Sequence, residues 1–508
     1  MTTPNLSRRA ALRRLGAIGA AGAATPWMMN LAAFGQAQAT GTSGYKALVC
    51  LFMYGGNDAY NTVLPTDTDS WNAYLAARNS DTSPVALAAP GTVPVKNSPN
   101  YNLRLGGVLP ITPKTAQAGR QFALHPQLAA VRTLFNAGRV AIVANVGPLI
   151  QPTAKTDVTS NLAALPPKLY SHNDQESVWQ SMQPEGATVG WGGAMVDRLA
   201  SQNTNALFTS ISTGSNSVWL AGNSVRPYSV ALTGAIHLGA YDNTLYSSTV
   251  AQQTLQSLVR TTRENQYFEQ DHAAVASRSI DAEAILTPAL PAQQAAPWGT
   301  PNLAAGALDP LLCYKNVDTG VLQINPITQQ LQIVARMIQA HSTLGMGRQI
   351  FFIGCEGFDT HDTQNERHAD LMAQLAQALN YWDTVTRSMG VDQMVTTFTA
   401  SDFGRAFASN GDGTDHGWGG HHFVMGGAVK GGDIYGRFPT YGLTDANNGF
   451  TSNDQLDDGS LLPALSVEQY AGTLGTWFGM SNTDLQAVMP NINNFPKANW
   501  DLGFMNAA

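Results

Sequence analysis

The sequence contains little cysteine, and this scarcity limits the redox chemistry it can support. Its 508 residues include three cysteines, Cys50, Cys313 and Cys355. Three are too few for a disulfide framework, and the odd number leaves at least one unpaired within the chain. Cys50 and Cys355 lie in apolar runs, which predicts small buried side chains rather than reactive thiols. A CxxC pair, a haem motif and a dinucleotide-binding glycine fingerprint are also missing, so we do not expect a redox protein.

Positive charge is also scarce. The chain has 28 Lys and Arg against 35 Asp and Glu, for a net charge of −7, and only 12% of its residues are charged. Proteins that bind nucleic acids neutralise phosphates with basic patches. The excess of acid therefore argues against a nucleic-acid partner, while the 44% of hydrophobic residues are ample for a large core.

The first 39 residues have the layout of an export signal. Arg8 and Arg9 precede an apolar run rich in Gly and Ala, and residues 37–39 offer a small-residue cleavage site. A membrane anchor is the alternative, but glycines, a proline and Asn30 weaken this run as a spanning helix. We predict that residues 1–39 are a twin-arginine signal peptide, which the twin-arginine translocase recognises during export.

Cleavage would leave a periplasmic or extracellular protein. The mature chain would keep 24 basic against 35 acidic residues, a net charge of −11. No later stretch approaches the roughly 20 apolar residues that a membrane-spanning helix requires. We therefore expect no stable membrane span after cleavage.

Short apolar runs alternate with helical periodicity along the rest of the chain. This alternation predicts an α/β fold with a mostly parallel sheet sandwiched by helices. We expect residues 40–508 to form a single domain with loop-rich surface insertions near 80–120 and 286–310. The apolar runs lie at 47–54, 139–146, 349–353, 394–400 and 422–426, and the amphipathic stretches at 126–137, 328–340 and 365–389.

Two of the predicted strands end in glycine-containing turns that carry metal-competent side chains. Asp58 follows the first run in GGND, and Asp359 and His361 follow a later run in GFDTH. Ligand sites in parallel sheets lie beyond the carboxyl ends of strands, and glycines let the backbone approach a ligand closely. Asp and His together suit zinc, manganese or magnesium. The alternatives are a helix cap for Asp58 and a surface pair for Asp359 and His361.

Two further segments add candidates. The run at 394–400 leads into ASDFGR, which places Asp402 at a strand end and Arg405 just beyond it. The glycine-rich segment GTDHGWGGHH contributes His416. Asp402 and His416 are candidate metal ligands, and the guanidinium fork of Arg405 could hold an anionic group.

A fifth segment, YSHNDQ, offers a nucleophile. Ser171 could be activated by a metal rather than by its neighbour His172. The Ser-x-x-Asp spacing from Ser171 to Asp174 also fits a helix N-cap, and the sequence alone favours that interpretation.

The order of these motifs resembles that of one family. GGNDAYNTVLP, LYSHNDQESVWQS, GFDTHD, ASDFGR and GTDHGWGGHH resemble the exported bacterial family called domain of unknown function 1501, over essentially the whole mature chain. That family in turn resembles the alkaline-phosphatase-like superfamily of phosphatases and sulfatases. The resemblance implies one α/β domain in which Asp and His at strand ends hold two divalent ions beside a Ser or Thr nucleophile.

Carried onto this chain, the resemblance implies a specific set of site residues and two departures. Phe403 stands where the superfamily commonly has a histidine, so one metal site lacks a usual ligand. The Asp–His spacing in GFDTH is tighter than usual, which leaves His368 as an alternative ligand. The implied nucleophile is Ser171, and the implied metal ligands are Asp58, Asp359, His361, Asp402 and His416.

We therefore expect an exported metal-dependent hydrolase of phosphate or sulfate esters. It would act on a small anionic ester, use one or two divalent ions, and orient the substrate with Arg405. The alternative is a non-catalytic alkaline-phosphatase-like binding or assembly protein of the periplasm, as the presence of Phe403 suggests. Members of the family are often encoded beside another exported family, so the resemblance also implies an exported partner protein.

Overall fold

The computed structural model describes residues 44–79, 83–214, 217–239, 244–262, 266–445 and 449–506. The predicted signal peptide at 1–39 lies outside these residues. Lys46–Ala508 forms one compact unit. None of the helices in the described part of the chain is both long enough and apolar enough to cross a membrane.

The strands and helices alternate along much of the chain. The strands are β1 (Lys46–Met53), β2 (Val63–Pro65), β3 (Leu109–Ile111), β4 (Phe122–Leu124), β5 (Val140–Gly147), β6 (Ser210–Ser212), β7 (Tyr228–Ser229), β8 (Cys313–Lys315), β9 (Leu322–Ile324), β10 (Arg348–Cys355), β11 (Val395–Ser401), β12 (Arg405–Ser409), β13 (Thr414–His416), β14 (Gly420–Met425), β15 (Ile434–Tyr435) and β16 (Leu465–Ser466). The helices are α1 (Ala59–Thr62), α2 (Thr68–Arg78), α3 (Tyr101–Leu105), α4 (Ala129–Asn136), α5 (Lys155–Thr159), α6 (His172–Ser181), α7 (Trp191–Arg198), α8 (Thr249–Arg260), α9 (Tyr267–Ala289), α10 (Pro326–Gln339), α11 (Gln364–Ser388), α12 (Val467–Phe478) and α13 (Asn482–Val488).

The main sheet has the strand order β15-β5-β14-β11-β1-β10-β6-β7, with β16 also paired to β5. Strands β11, β1, β10 and β6 are mutually parallel. The prediction of an α/β fold with a large, mostly parallel sheet flanked by helices is confirmed. Strand β14 differs from the prediction, because it runs antiparallel to both β11 and β5. A parallel return requires a crossover, usually a helix, whereas the chain between β11 and β14 forms the β12–β13 hairpin.

The central strands are apolar because both faces of the sheet are covered. Seven of the eight residues of β1 and all eight of β5 are buried. One face of β1, with Leu48, Cys50 and Phe52, packs in a cluster that includes several buried tryptophans. Such two-sided burial explains why these strands appear in the sequence as continuous hydrophobic runs. The cysteines are free and buried, as predicted for Cys50 and Cys355.

The two predicted insertions differ in how much regular secondary structure they contain. Residues 83–98 contain no helix or strand, but α3 and β3 follow them, and β3 joins β2 and β4 in a separate three-stranded sheet. Residues 290–309 connect α9 to the β8–β9 hairpin without a helix or strand of their own. The first insertion is thus partly structured.

A buried ion pair stabilises the turn that follows β1. Asp58 caps α1 by accepting a hydrogen bond from the backbone N–H of Tyr60 (3.1 Å). Arg78, the last residue of α2, donates to both Asp58 carboxylate oxygens at 2.5 and 3.0 Å, and both side chains are fully buried. Burial alone would raise the pKa of Asp58, but the charge and hydrogen bonds of Arg78 outweigh it and hold the pKa below its usual value. Each of the two side chains can therefore stay charged in the protein interior only because the other is beside it.

We expect Arg78→Leu to lower the free energy of unfolding by about 3–5 kcal/mol, because it leaves Asp58 buried without its cation. Chemical denaturation at neutral pH measures this loss. Arg260→Leu is the control, since it removes an exposed pair with Asp281 and should cost less than about 1 kcal/mol. A loss for Arg78→Leu no larger than that of the control would contradict the importance of the buried pair.

Candidate metal centre

Three neighbouring parallel strands, β11, β1 and β10, end at the same edge of the sheet, and their loops meet there. The backbone N–H of Gly55, after β1, donates to the Oδ2 of Asp402, after β11 (3.1 Å). Gly55 also lies against Asp359, after β10. Its φ is +109°, and a Cβ at this position would lie 2.3 Å from the Asp359 backbone nitrogen. Only glycine lets the backbone approach this closely.

Three imidazoles converge on the carboxylate of Asp359. The Nε2 atoms of His172, His361 and His416 lie 3.6, 3.1 and 3.6 Å from its oxygens. The Nε2 atoms of His361 and His416 lie 2.8 Å from each other. In the described part of the chain, ligand atoms of His172, Asp359 and His416 all lie within 4.8 Å of one another.

The other nitrogen of each imidazole contacts a protein oxygen. The Nδ1 atom of His172 lies 2.7 Å from Asp402 Oδ2, that of His361 lies 3.1 Å from Asp415 Oδ1, and that of His416 lies 2.7 Å from the Tyr170 carbonyl. Because a carbonyl and ionised carboxylates can only accept, each Nδ1 donates, and each neutral ring directs the Nε2 lone pair at the cluster. Histidines that bind metals are oriented by partners of this kind.

This donor set fits a divalent cation. Two nitrogen lone pairs only 2.8 Å apart repel unless a proton or a metal ion lies between them, and a carboxylate completes the set. The group whose ligand atoms lie within 4.8 Å of one another, His172, His416 and Asp359, suits zinc or another borderline divalent ion, and His361 borders it.

Local structure supplies the two histidines that do not follow a central strand. Helix α6 begins at His172, and the β12–β13 pairing places His416 opposite Arg405. The ring of Phe403 packs against both imidazoles, with ring centroids 4.8 Å from His172 and 4.6 Å from His416, while the two imidazoles lie 4.3 Å from each other. Phe403, which stands where the resemblance implies a histidine, therefore supports the imidazoles from one side.

Arg405 is fully buried and holds Asp359 rather than facing solvent. Its guanidinium donates to Asp359 Oδ1 at 2.8 Å, to the Gly55 carbonyl at 2.8 Å and to the Thr414 carbonyl at 3.0 Å. The structure therefore does not leave Arg405 free to clamp a substrate anion, as the sequence had suggested. It positions a candidate ligand instead.

The remaining sequence candidates occupy different places. Both oxygens of Asp58 are taken by Arg78 and by Gln364, whose Nε2 donates at 2.6 Å, so Asp58 is not part of the cluster. Asp402 stands behind His172 as its hydrogen-bond partner. The Ser171 hydroxyl donates to Asp174 Oδ2 at 2.9 Å instead of facing the cluster.

His368, the alternative ligand, is buried elsewhere. Its Nε2 lies 3.2 Å from Asn57 Oδ1, and its ring packs against His125. Burial lowers the pKa of His368 to about 4, so it is neutral at ordinary pH. The structure thus separates it from the metal-competent histidines.

Sequence reasoning missed the roles of His172 and Asp415. His172 was passed over as a neighbour of the candidate Ser171, although its place at a helix start in a polar motif was visible. Asp415 directly precedes His416, but the partner it orients is His361, which is 54 residues away. Only the folded hairpin brings these two together.

Burial and neighbouring charges shift the pKa values of the cluster residues in opposite directions. The hydrogen bond to Asp402 and the charges of Asp402 and Asp359 raise the pKa of His172, although burial opposes them. Burial lowers the pKa of His416, although its hydrogen bond to Tyr170 acts in the other direction. For Asp359, burial would raise the pKa, but Arg405 and the histidines outweigh it and lower the pKa. Asp359 is therefore ionised at neutral pH.

We expect Asp402→Asn to lower the pKa of His172 in metal-free protein, because it removes the negative charge on its Nδ1 partner. Histidine NMR titration measures the shift. Since the native pKa is raised, protonated His172 stabilises the fold below its ordinary pKa, and this contribution is lost as pH rises through the raised value. The resonance of His237, which pairs with Glu283, is the internal control, and an unchanged His172 titration would contradict the assignment.

Fold and site together define an α/β protein with a histidine–carboxylate centre at the carboxyl edge of its sheet. The chain belongs to the family described as "Protein of unknown function (DUF1501)", whose sequence profile matches residues 45–490. This confirms the family resemblance of the motifs. No curated protein matches the sequence.

A similarity to a solved structure was also found. The crystal structure of Ps i-CgsB in complex with k-i-k-neocarrahexaose is 9% identical, and the alignment covers 91% of this chain and 75% of that one with a TM-score of 0.28. These values are too low for the similarity to bear on the fold or the function of this chain.

Proposed function

We propose that this protein is a divalent-metal-dependent hydrolase of phosphate or sulfate esters, with its ion held by His172, Asp359, His361 and His416. One observation carries the proposal: three Nε2 atoms converge on one carboxylate while all three Nδ1 atoms bind protein oxygens. Histidines that bind metals are oriented by hydrogen bonds of this kind.

A divalent ion in this donor set would polarise an ester oxygen and lower the pKa of a bound water toward neutrality. The protein's own residues supply the rest. Asp402 and Asp415 fix the imidazoles, and Arg405 fixes Asp359. Glu176 lies one turn after His172 on α6, and burial together with the Asp402 charge raises its pKa to about 7. Glu176 can therefore exchange a proton at neutral pH.

Water is a better nucleophile for this site than Ser171. The Ser171 hydroxyl donates to the Asp174 carboxylate, and among the described residues it has no hydrogen bond to a member of the histidine–carboxylate cluster. We therefore propose direct hydrolysis rather than a covalent serine intermediate.

The proposal also includes an alkaline-phosphatase-like classification and export by the twin-arginine pathway. The order of the motifs supports the first, and the paired arginines at positions 8 and 9 support the second. An enzyme at this site would then meet its ester substrate in the periplasm or outside the cell.

A non-catalytic metal-binding or assembly role is the second candidate, and one observation favours it. Arg405 is committed to Asp359, Gly55 and Thr414, whereas Asp402 and Asp415 surround the imidazoles. A substrate anion would then depend on the bound ion for most of its attraction. Metal binding without turnover of either ester class would support this candidate.

We expect the purified full chain to bind one divalent ion at the centre. His416→Ala should abolish binding, and Asp415→Asn should weaken it by about 10- to 100-fold, because it frees the His361 ring. Zinc and manganese titration by calorimetry measures both effects, and His237→Gln is the control at a histidine outside the centre. Affinity should rise with pH through the raised pKa of His172, because the metal must displace that proton. Unchanged binding in His416→Ala would contradict the proposed ligands.

We expect Ser171→Ala to retain most of the turnover of 4-nitrophenyl phosphate and 4-nitrophenyl sulfate, while Asp359→Asn should abolish it. Steady-state release of 4-nitrophenol measures both variants on the metal-loaded enzyme. A loss of about 10³-fold or more in Ser171→Ala would instead assign the nucleophile to Ser171.

A further inference from the structure

A continuous path of buried hydrogen bonds runs from the Asp58–Arg78 pair to Asp359. Gln364, the first residue of α11, donates from Nε2 to Asp58 Oδ2 at 2.6 Å. Its Oε1 accepts from the Thr414 hydroxyl at 2.6 Å. Thr414 in turn accepts from Arg405 Nε through its carbonyl (3.0 Å) and its hydroxyl oxygen (3.2 Å).

The path has no solvent-exposed step before the centre. Asp58, Gln364, Thr414 and Arg405 are all 0% exposed. From Arg405 the path passes to Asp359 through the 2.8 Å bond described above. The elements joined are the turn after β1, the start of α11, strand β13 and strand β12.

The chemistry of the end groups fixes the direction of every bond in the path. Ionised Asp58 can only accept, so the NH₂ group of Gln364 faces it and the amide oxygen faces Thr414. The Thr414 hydroxyl must therefore donate to Gln364, which leaves its oxygen lone pairs for Arg405. Arg405 can only donate, and it ends on the Asp359 carboxylate. A flip of the Gln364 amide would break three buried bonds at once, including one that its oxygen accepts from the Thr360 hydroxyl (3.3 Å), and each unsatisfied group would carry a desolvation cost.

We propose that Gln364 is a positioning residue for the metal centre, which transmits the fixed position of Asp58 through Thr414 and Arg405 to Asp359. The metal consequence rests on the proposed function, but the positioning itself does not. Asp58 is then linked to Asp359 through three intervening side chains. It makes no hydrogen bond of its own to a candidate ligand.

The test uses the full chain with ¹⁵N-labelled arginine and follows the Nε–H of Arg405 by NMR without metal. Gln364→Met keeps the length of the side chain and removes its hydrogen bonds with Asp58, Thr414 and Thr360. Gln364→Glu keeps the shape but presents a carboxylate to Asp58. We expect hydrogen exchange at Arg405 Nε to be about tenfold or more faster in both variants, because buried hydrogen bonds slow exchange. With zinc added, the affinity should fall about tenfold or more, as for other residues that orient metal ligands.

Gln332→Met is the matched control. Gln332 is 2% exposed in α10, donates to the carbonyls of Gln293 and Trp298, and has no link to the path. It should lower thermal stability but leave both Arg405 exchange and zinc affinity unchanged. Thr414→Val, which removes only the hydroxyl, should reproduce the Gln364→Met result and serves if either Gln364 variant fails to fold.

The outcomes test the positioning role of Gln364 separately from the proposed metal-dependent function. Unchanged Arg405 exchange in Gln364→Met and Thr414→Val, or an equal acceleration in Gln332→Met, would overturn the positioning role. Faster exchange with undiminished zinc affinity would also overturn it, because Asp359 would then not depend on the path. If wild-type protein binds no zinc or manganese, the proposed function fails, while the Arg405 exchange still decides whether Gln364 holds the arginine.

Discussion

The carboxylate of Asp359 receives a hydrogen bond from buried Arg405 and faces three histidine Nε2 atoms. Its position depends on the parallel register of β1 and β10, which ends both strands at one sheet edge. It depends equally on Gly55, because a side chain there would collide with the Asp359 backbone. Sheet register, a glycine turn and a buried cation therefore combine to fix one charge, and the histidines are arranged around it.

The buried polar groups behind Asp359 form one connected hydrogen-bond network. Fully buried Arg78 and Arg405 each contact a carboxylate, Asp58 in one case and Asp359 in the other, and Gln364 with Thr414 connects the two pairs. Buried charges are tolerated only when they are paired and hydrogen-bonded. The same bonds that satisfy these charges also restrict the side chains to one arrangement, which a metal centre needs because small displacements of ligands weaken it.

Sequence reasoning captured the sheet and its carboxyl edge, because two-sided burial makes the strands of an α/β sheet continuous apolar runs. It could not give the direction of β14, which depends on whether the preceding segment folds as a hairpin or a helix. It predicted both Asp58 and Asp359 as metal ligands, because each follows a strand in a glycine-containing turn. The difference is Arg78, which reaches Asp58 from another helix. Pairings of this kind are set by tertiary packing, and no local pattern records them.

The same comparison bears on how many ions the proposed metal site would hold. The resemblance implies two sites, but Asp58 is neutralised by Arg78, and Phe403 offers a ring where a second imidazole ligand would stand. Asp402 is bound to His172 and to the Gly55 N–H. Asp402 thus orients His172, Phe403 packs against His172 and His416, and Asp58 pairs with Arg78. For the proposed function, these contacts are more compatible with one ion than with two, and the hydrogen bonds that hold Asp359 and the imidazoles would then matter more than in a site with two metals.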